Sequence, residues 1–154
     1  MDFVVQKSTE LGIKRITPLL TEFSFVKLNA EAFRKKKEHW EKISQSACGQ
    51  CDRNEIPLIE NSMTIKSFFN NISNENSLLL FEPESKRTLE KIEKPKKGID
   101  LLIGPEGGFS KKEIQFSRKF GFSGISLGPR ILRTETASLA AISIIQAKWG
   151  DFKT

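Results

Sequence analysis

Ile99-Asp100-Leu101-Leu102-Ile103-Gly104-Pro105-Glu106-Gly107-Gly108-Phe109-Ser110-Lys111-Lys112-Glu113 holds a strand, a glycine loop and a helix start in 15 residues. Residues 99–103 form a short apolar run, as expected of a strand covered on both faces. Ser110 and Glu113 stand at capping-box spacing, which predicts a helix running to Phe120 and closed by Gly121. In open α/β sheets ligands bind beyond the carboxyl ends of the strands, so the Gly104–Phe109 loop is where one is expected. Its three glycines let backbone approach a ligand closely. A phosphate cradle is the obvious alternative, because glycine loops before helices often bind anions. Two features oppose it. No Lys-Ser/Thr pair follows the glycines, and Glu106 places a carboxylate inside the loop. A cationic or neutral ligand suits such a loop better.

The same reading extends outward. Ser77 to Phe81 is a second buried strand, and Phe122 to Leu127 a third. After a turn at Gly128-Pro129, Thr134 or Thr136 opens a last helix to about Lys148. That helix is apolar on nearly every side, which predicts burial all round, in a subunit interface or deep in the core. Upstream, residues 2–11 read as a helix with Val4, Ser8 and Leu11 on one face, stopped at Gly12. Arg15 to Leu20 reads as a strand. Asn29 caps a longer helix to about Gly49, with Phe33, Trp40, Ile43 and Ala47 inside. A weaker helix covers Thr64 to Asn71. Strands alternating with helices predict an α/β domain with a mainly parallel sheet.

With 154 residues the chain suits one domain with a single core. Its 38% hydrophobic and 29% charged residues fit a globular protein. No apolar run reaches the ~20 residues of a membrane span, and no signal-peptide pattern opens the chain, so a cytoplasmic location is expected. The net charge of +6 favours polyanionic partners. Six basic and two acidic residues fall between Lys86 and Lys97, and Arg34-Lys35-Lys36-Lys37 is a second cluster. Each is either a solvated surface or an RNA contact. Cys48 and Cys51 have CxxC spacing. They fall at the end of a helix pattern, where the dipole disfavours a thiolate, and His39 alone cannot complete a zinc site. Neither metal nor redox chemistry is expected.

Gly104 to Ser110 with Glu113, followed by Leu127-Gly128-Pro129-Arg130-Ile131-Leu132-Arg133-Thr134-Glu135-Thr136-Ala137, closely resembles the paired motifs of the RsmE-like family. These are 16S ribosomal RNA uracil-N3 methyltransferases of the SPOUT superfamily. Gln6 to Gly12 with Ile16-Thr17-Pro18, and Trp40 to Ile43 leading to Ala47, Gln50, Arg53 and Ile56-Pro57, agree with it too. The resemblance covers essentially the whole chain. It implies a trefoil-knotted α/β fold, S-adenosylmethionine as cofactor, small-subunit ribosomal RNA as partner and an obligate homodimer. It also implies that residues 1–154 are the catalytic domain alone, without the family's small N-terminal PUA-like barrel.

By the same resemblance, Gly104, Pro105, Glu106, Gly107 and Gly108 of the first loop should line the cofactor pocket. Leu127, Gly128, Ile131, Leu132 and Arg133 of the second should complete it. Methylating uracil N3 means removing a proton that is only weakly acidic at neutral pH, so the site needs a base or a cation that stabilises the developing charge. Arg133 and Arg53 are the candidate cations, and Glu135 a base or a cap of its own helix. Glu10, Gln50 and Arg53 are expected to orient the base, with an ion pair as the alternative role for Glu10 and Arg53. Other functions fit less well: a knotted methyltransferase acting on transfer RNA or a ribose 2'-hydroxyl, a catalytically silent RNA-binding or assembly protein, or a nucleotide-phosphate binder.

Overall fold

The computed structural model describes residues 1–24, 29–72 and 75–152. In chain order its elements are α1 (Asp2–Glu10), β1 (Arg15–Ile16), β2 (Leu19–Leu20), α2 (Ala30–Gln50), β3 (Leu58–Ile59), β4 (Met63–Thr64) and α3 (Ile65–Asn70). Then follow β5 (Ser77–Phe81), β6 (Ile99–Leu102), α4 (Lys111–Lys119), β7 (Ser123–Ile125) and α5 (Thr134–Trp149). All the strand pairs among the described residues are parallel.

The central ladder has the order β6-β5-β7, with Leu80 opposite Leu102 on one side and Gly124 on the other. Leu79 and Leu80 of β5 are buried because helices cover both faces of the ladder. On one face Leu80, Leu102 and Phe122 pack with Ile65 and Phe69 of α3. On the other, Leu79 and Ile125 pack with Leu89 and with Ala141 of α5. A separate cluster of Val5, Trp40 and Ile59 joins α1, α2 and β3. Between those two helices Thr9 Oγ1 donates to the Val5 carbonyl at 2.7 Å and lies 3.2 Å from Ser44 Oγ, so two buried hydroxyls satisfy each other.

Several helix ends are as the sequence predicts. Asn29 caps α2 by accepting from Ala32 N at 2.9 Å. Ser110 and Glu113 form the full capping box of α4, and Gly121 follows it at φ +92°. Other expectations need correction. Arg15 to Leu20 is two short strands, because Pro18 has no N–H for a ladder and its carbonyl is used by Met63 N. β1 pairs with β3 and β2 with β4, and these two-residue partners were too short to leave a periodic signal. On α1 the buried residues are Val5, Ser8 and Thr9, whereas Val4 and Leu11 are half-buried. The third strand of the central ladder is three residues long rather than six.

The 86–97 connection is not wholly exposed. Leu89 is buried in a short 3-10 turn (Leu89–Lys91), whose Leu89 and Glu90 carbonyls receive Lys148 Nζ of α5. Nor is α5 buried all round in the single chain. Ala137, Ser138, Ala141 and Ile142 face inward, while Ile144 and Ala147 are exposed.

Candidate active site

Two loops leave the carboxyl ends of β6 and β7, on either side of β5. The first turns tightly through Gly108 N–H donating to the Pro105 carbonyl at 2.8 Å, with Gly108 at φ +71°. Gly104 is buried where the loop folds back on itself. A Cβ there would come within 3.1–3.2 Å of Gly108 backbone and the Phe109 ring. The opposite holds at Gly108 and at Gly128 (φ +91°), where a Cβ would meet nothing within 4 Å. The backbone is therefore bare on the side away from the protein.

The second loop feeds α5, and its first helical residue reaches back. Thr134 Oγ1 donates to the Gly104 carbonyl at 3.0 Å, joining the two loops directly. Arg133 is the N-cap position and exposed, Glu135 lies half-buried in the first turn, and Leu132 is half-buried. Leu127 packs into the core cluster of Leu79 and Ile125. Ile131 is 88% exposed, more than any other large apolar side chain of the described residues. Glu106 is exposed at the tip of the first loop.

Sequence reasoning missed a third contributor. Glu113 is 8% exposed, and besides its capping role its Oε1 accepts from Glu22 N at 2.9 Å. That bond draws the segment after β2 against the glycine loop, where Phe23 Cβ sits 3.0 Å from the position a Gly107 Cβ would occupy. The capping spacing identified Glu113, but no local pattern announces a partner 91 residues away.

The remaining expected site residues stand at the ends of α1 and α2, each with its own role. Arg53 donates from Nη1 to the Thr9 carbonyl and from Nη2 to the Ile13 carbonyl at 3.1 Å, holding the exit of α1. Glu10 accepts from Lys7 Nζ at 2.8 Å in an i,i+3 pair on its own helix. Gln50 ends α2 and is exposed. Cys48 is buried with Sγ 3.6 Å from the Glu55 carbonyl, and Cys51 is the C-cap. His39, on the outer side of α2, bonds Asp2 at 2.8 Å.

Sequence comparison matches residues 1–146 to the family described as RNA methyltransferase domain. The chain belongs to that family. This RNA methyltransferase domain is 46% identical over 153 residues to the ribosomal RNA small subunit methyltransferase E of Buchnera aphidicola, covering 99% of this chain and 60% of that protein. Against the Bacillus subtilis protein of the same name the identity is 34% over 153 residues, covering 94% and 60%. Among solved structures, a Legionella pneumophila methyltransferase in complex with the bound cofactor SAM superposes with a TM-score of 0.94 at 42% identity, covering 99% of this chain and 62% of that one. A ribosomal RNA small subunit methyltransferase E from Neisseria gonorrhoeae, bound to S-adenosyl methionine, superposes with a TM-score of 0.93 at 38% identity and the same coverage. This RNA methyltransferase domain spans about 60% of the length of the curated relatives it matches. No helix of its described residues is long and apolar enough to cross a membrane.

Proposed function

We propose that this domain uses S-adenosylmethionine to methylate N3 of a uracil in 16S ribosomal RNA of the small subunit, as a cytoplasmic homodimer with knotted loops. The observation that carries the reading is the Thr134–Gly104 bond, which joins two glycine-bearing loops at the carboxyl ends of parallel strands. The residues fit the cofactor. Residues 104–109 contain no cation and one carboxylate, which disfavours phosphate. S-adenosylmethionine has no phosphate and, when bound, supplies an electrophilic methyl group on a sulfonium cation. Bare backbone at Gly108 and Gly128 can approach the adenosine edge, and Ile131 and Leu132 supply apolar cover.

The chain's own groups must then manage one proton and one developing charge. Arg133, exposed at the start of α5, can hold a uracil carbonyl oxygen with its planar donors as N3 loses its proton. Glu135, two residues on, can accept that proton. The bonds of Arg53 to Thr9 and Ile13 support a positioning role, bracing the end of α1, where Glu10 stands, against the chain that follows Gln50. Homodimer formation is supported by the apolar side chains left outside on α1 and α5, with Phe3 53% and Ile144 37% exposed.

Calorimetric titration with S-adenosylmethionine, with ATP as control, tests the cofactor. Methyl transfer to small subunits lacking the mark, followed by nucleoside analysis, tests the product. Binding of S-adenosylmethionine alone with formation of 3-methyluridine is expected. Binding of ATP alone overturns the reading, and cofactor binding with another methylated nucleoside replaces the uracil assignment.

A further inference from the structure

A cleft of about 510 Å³ opens at the amino ends of β5 and β7, lined by Ser77, Ser123, Arg87, Lys94, Lys96 and Phe120 among others. It lies toward the opposite ends of the strands from the cofactor loops, which follow the carboxyl ends of β6 and β7. Its cations belong to the 86–97 run, which the proposed methyl-transfer site does not use. The two basic clusters of the chain differ in one decisive respect. On α2, Arg34, Lys35 and Lys37 each pair with a glutamate one turn away, and Lys36 lies over the Trp40 ring. Each of those cations has a partner on its own helix. Between residues 86 and 97, by contrast, only Lys97 is in an ion pair among the described residues, with Glu75.

Lys97 thereby answers one of the two carboxylates in the cleft lining, leaving Glu93 against Arg87, Lys94 and Lys96. Arg87 is aimed across the opening by its Nη1 bond to Ser123 Oγ at 3.3 Å. Phe120 is 36% exposed, and its ring is held by Phe69 and Phe116, each at a centroid distance of 5.0 Å. A fixed aromatic beside uncompensated cations is the combination that binds single-stranded nucleic acid.

We propose that this cleft is a second RNA contact, in which Arg87, Lys94 and Lys96 hold the phosphodiester backbone of a single-stranded segment and Phe120 stacks on a base. It would grip the substrate RNA away from the methylated nucleotide, and in that sense it rests on the RNA methyltransferase reading. The contact positions RNA and takes no part in the chemistry.

The test is fluorescence anisotropy with a labelled single-stranded oligouridylate over a range of salt concentrations. The cleft variant R87Q/K94Q/K96Q is compared with R34Q/K35Q/K37Q on α2, which removes the same net charge. Single-stranded contacts contribute a slope of about 0.7 each to log K against log salt, so the cleft variant should lose about 2 from the slope and bind on the order of tenfold or more weakly. The α2 variant should keep the wild-type slope. F120L, which preserves apolar volume, should bind roughly fivefold or more weakly with the slope unchanged. Equal losses in both triple variants, or a wild-type domain that does not bind the oligonucleotide, would overturn the proposal. S-adenosylmethionine affinity is measured on the same samples. Its absence in the wild type sinks the catalytic reading, whatever the anisotropy shows.

Discussion

Thr134 Oγ1 donates to the carbonyl oxygen of Gly104 at 3.0 Å, and these residues are 30 positions apart at the mouths of two different loops. Gly104 is buried, so its carbonyl has limited access to water. The bond fixes where α5 begins relative to the glycine turn. Thr134→Val keeps the shape and removes the donor. Denaturant unfolding should show a loss of about 1–3 kcal/mol, the cost of a buried acceptor losing its partner. Calorimetry should show weaker S-adenosylmethionine binding, because the loops are no longer held in register. Unchanged cofactor affinity would mean the loops keep their places without this bond.

Gly104 and Gly108 should respond differently to the same added methyl group. At Gly104 a Cβ runs into backbone 3.1 Å away, which cannot yield without moving the loop. At Gly108 there is open space, and only the left-handed φ of +71° is at issue, costing about 1–2 kcal/mol. Gly104→Ala is therefore expected to abolish cofactor binding. Gly108→Ala should lower the melting temperature and leave weakened but measurable binding.

Arg53 spans the carbonyls of Thr9 and Ile13 with both terminal nitrogens. Lysine cannot make that fork. Arg53→Lys should therefore cost about 1–3 kcal/mol in unfolding experiments, in line with bonds from a charged donor. Methyl transfer should fall with it. A variant of full stability and low kcat would instead place the guanidinium on the substrate.

Acid stability offers a separate check on the α1–α2 junction. Asp2 accepts from His39 at 2.8 Å and from Trp40 Nε1 at 3.0 Å, and these bonds, His39 first, hold its carboxyl below the usual value of 3.8. A group with a lowered native pKa contributes stability that is complete above its unfolded pKa. That contribution is lost as pH falls through the lower native value. Asp2→Asn should thus be less stable than wild type at neutral pH, with the difference closing below about pH 4. The effect should be small, since 61% of the Asp2 side chain is exposed. A difference that persists at low pH would show that the carboxylate charge is not its source.

The resemblance to the RsmE-like family lay in local motifs, and those motifs also carry local physics. Ser110 with Glu113, Asn29 as a cap, Gly121 after α4 and the apolar strands β5 and β6 act over a few residues, so spacing alone identifies them. The tight turn of the glycine loop was legible too, because it follows from the loop's own glycines.

What local spacing cannot express was decided in three dimensions. β3 and β4 exist only because β1 and β2 offer them parallel edges, and two residues have no periodicity. The two carbonyls that Arg53 bonds lie 44 and 40 residues upstream, beyond the reach of any local pattern. The glutamates that answer the cations of α2 stand at helical spacing in the sequence, but nothing local tells that the 86–97 strap lies along a cleft at the strand ends. The sequence by itself determined the helices with their caps and the strands β5 and β6, since these are set by neighbours along the chain. Only the tertiary structure decided which charges are free, which loops touch and which carbonyls need a partner, because each depends on groups brought together from distant positions.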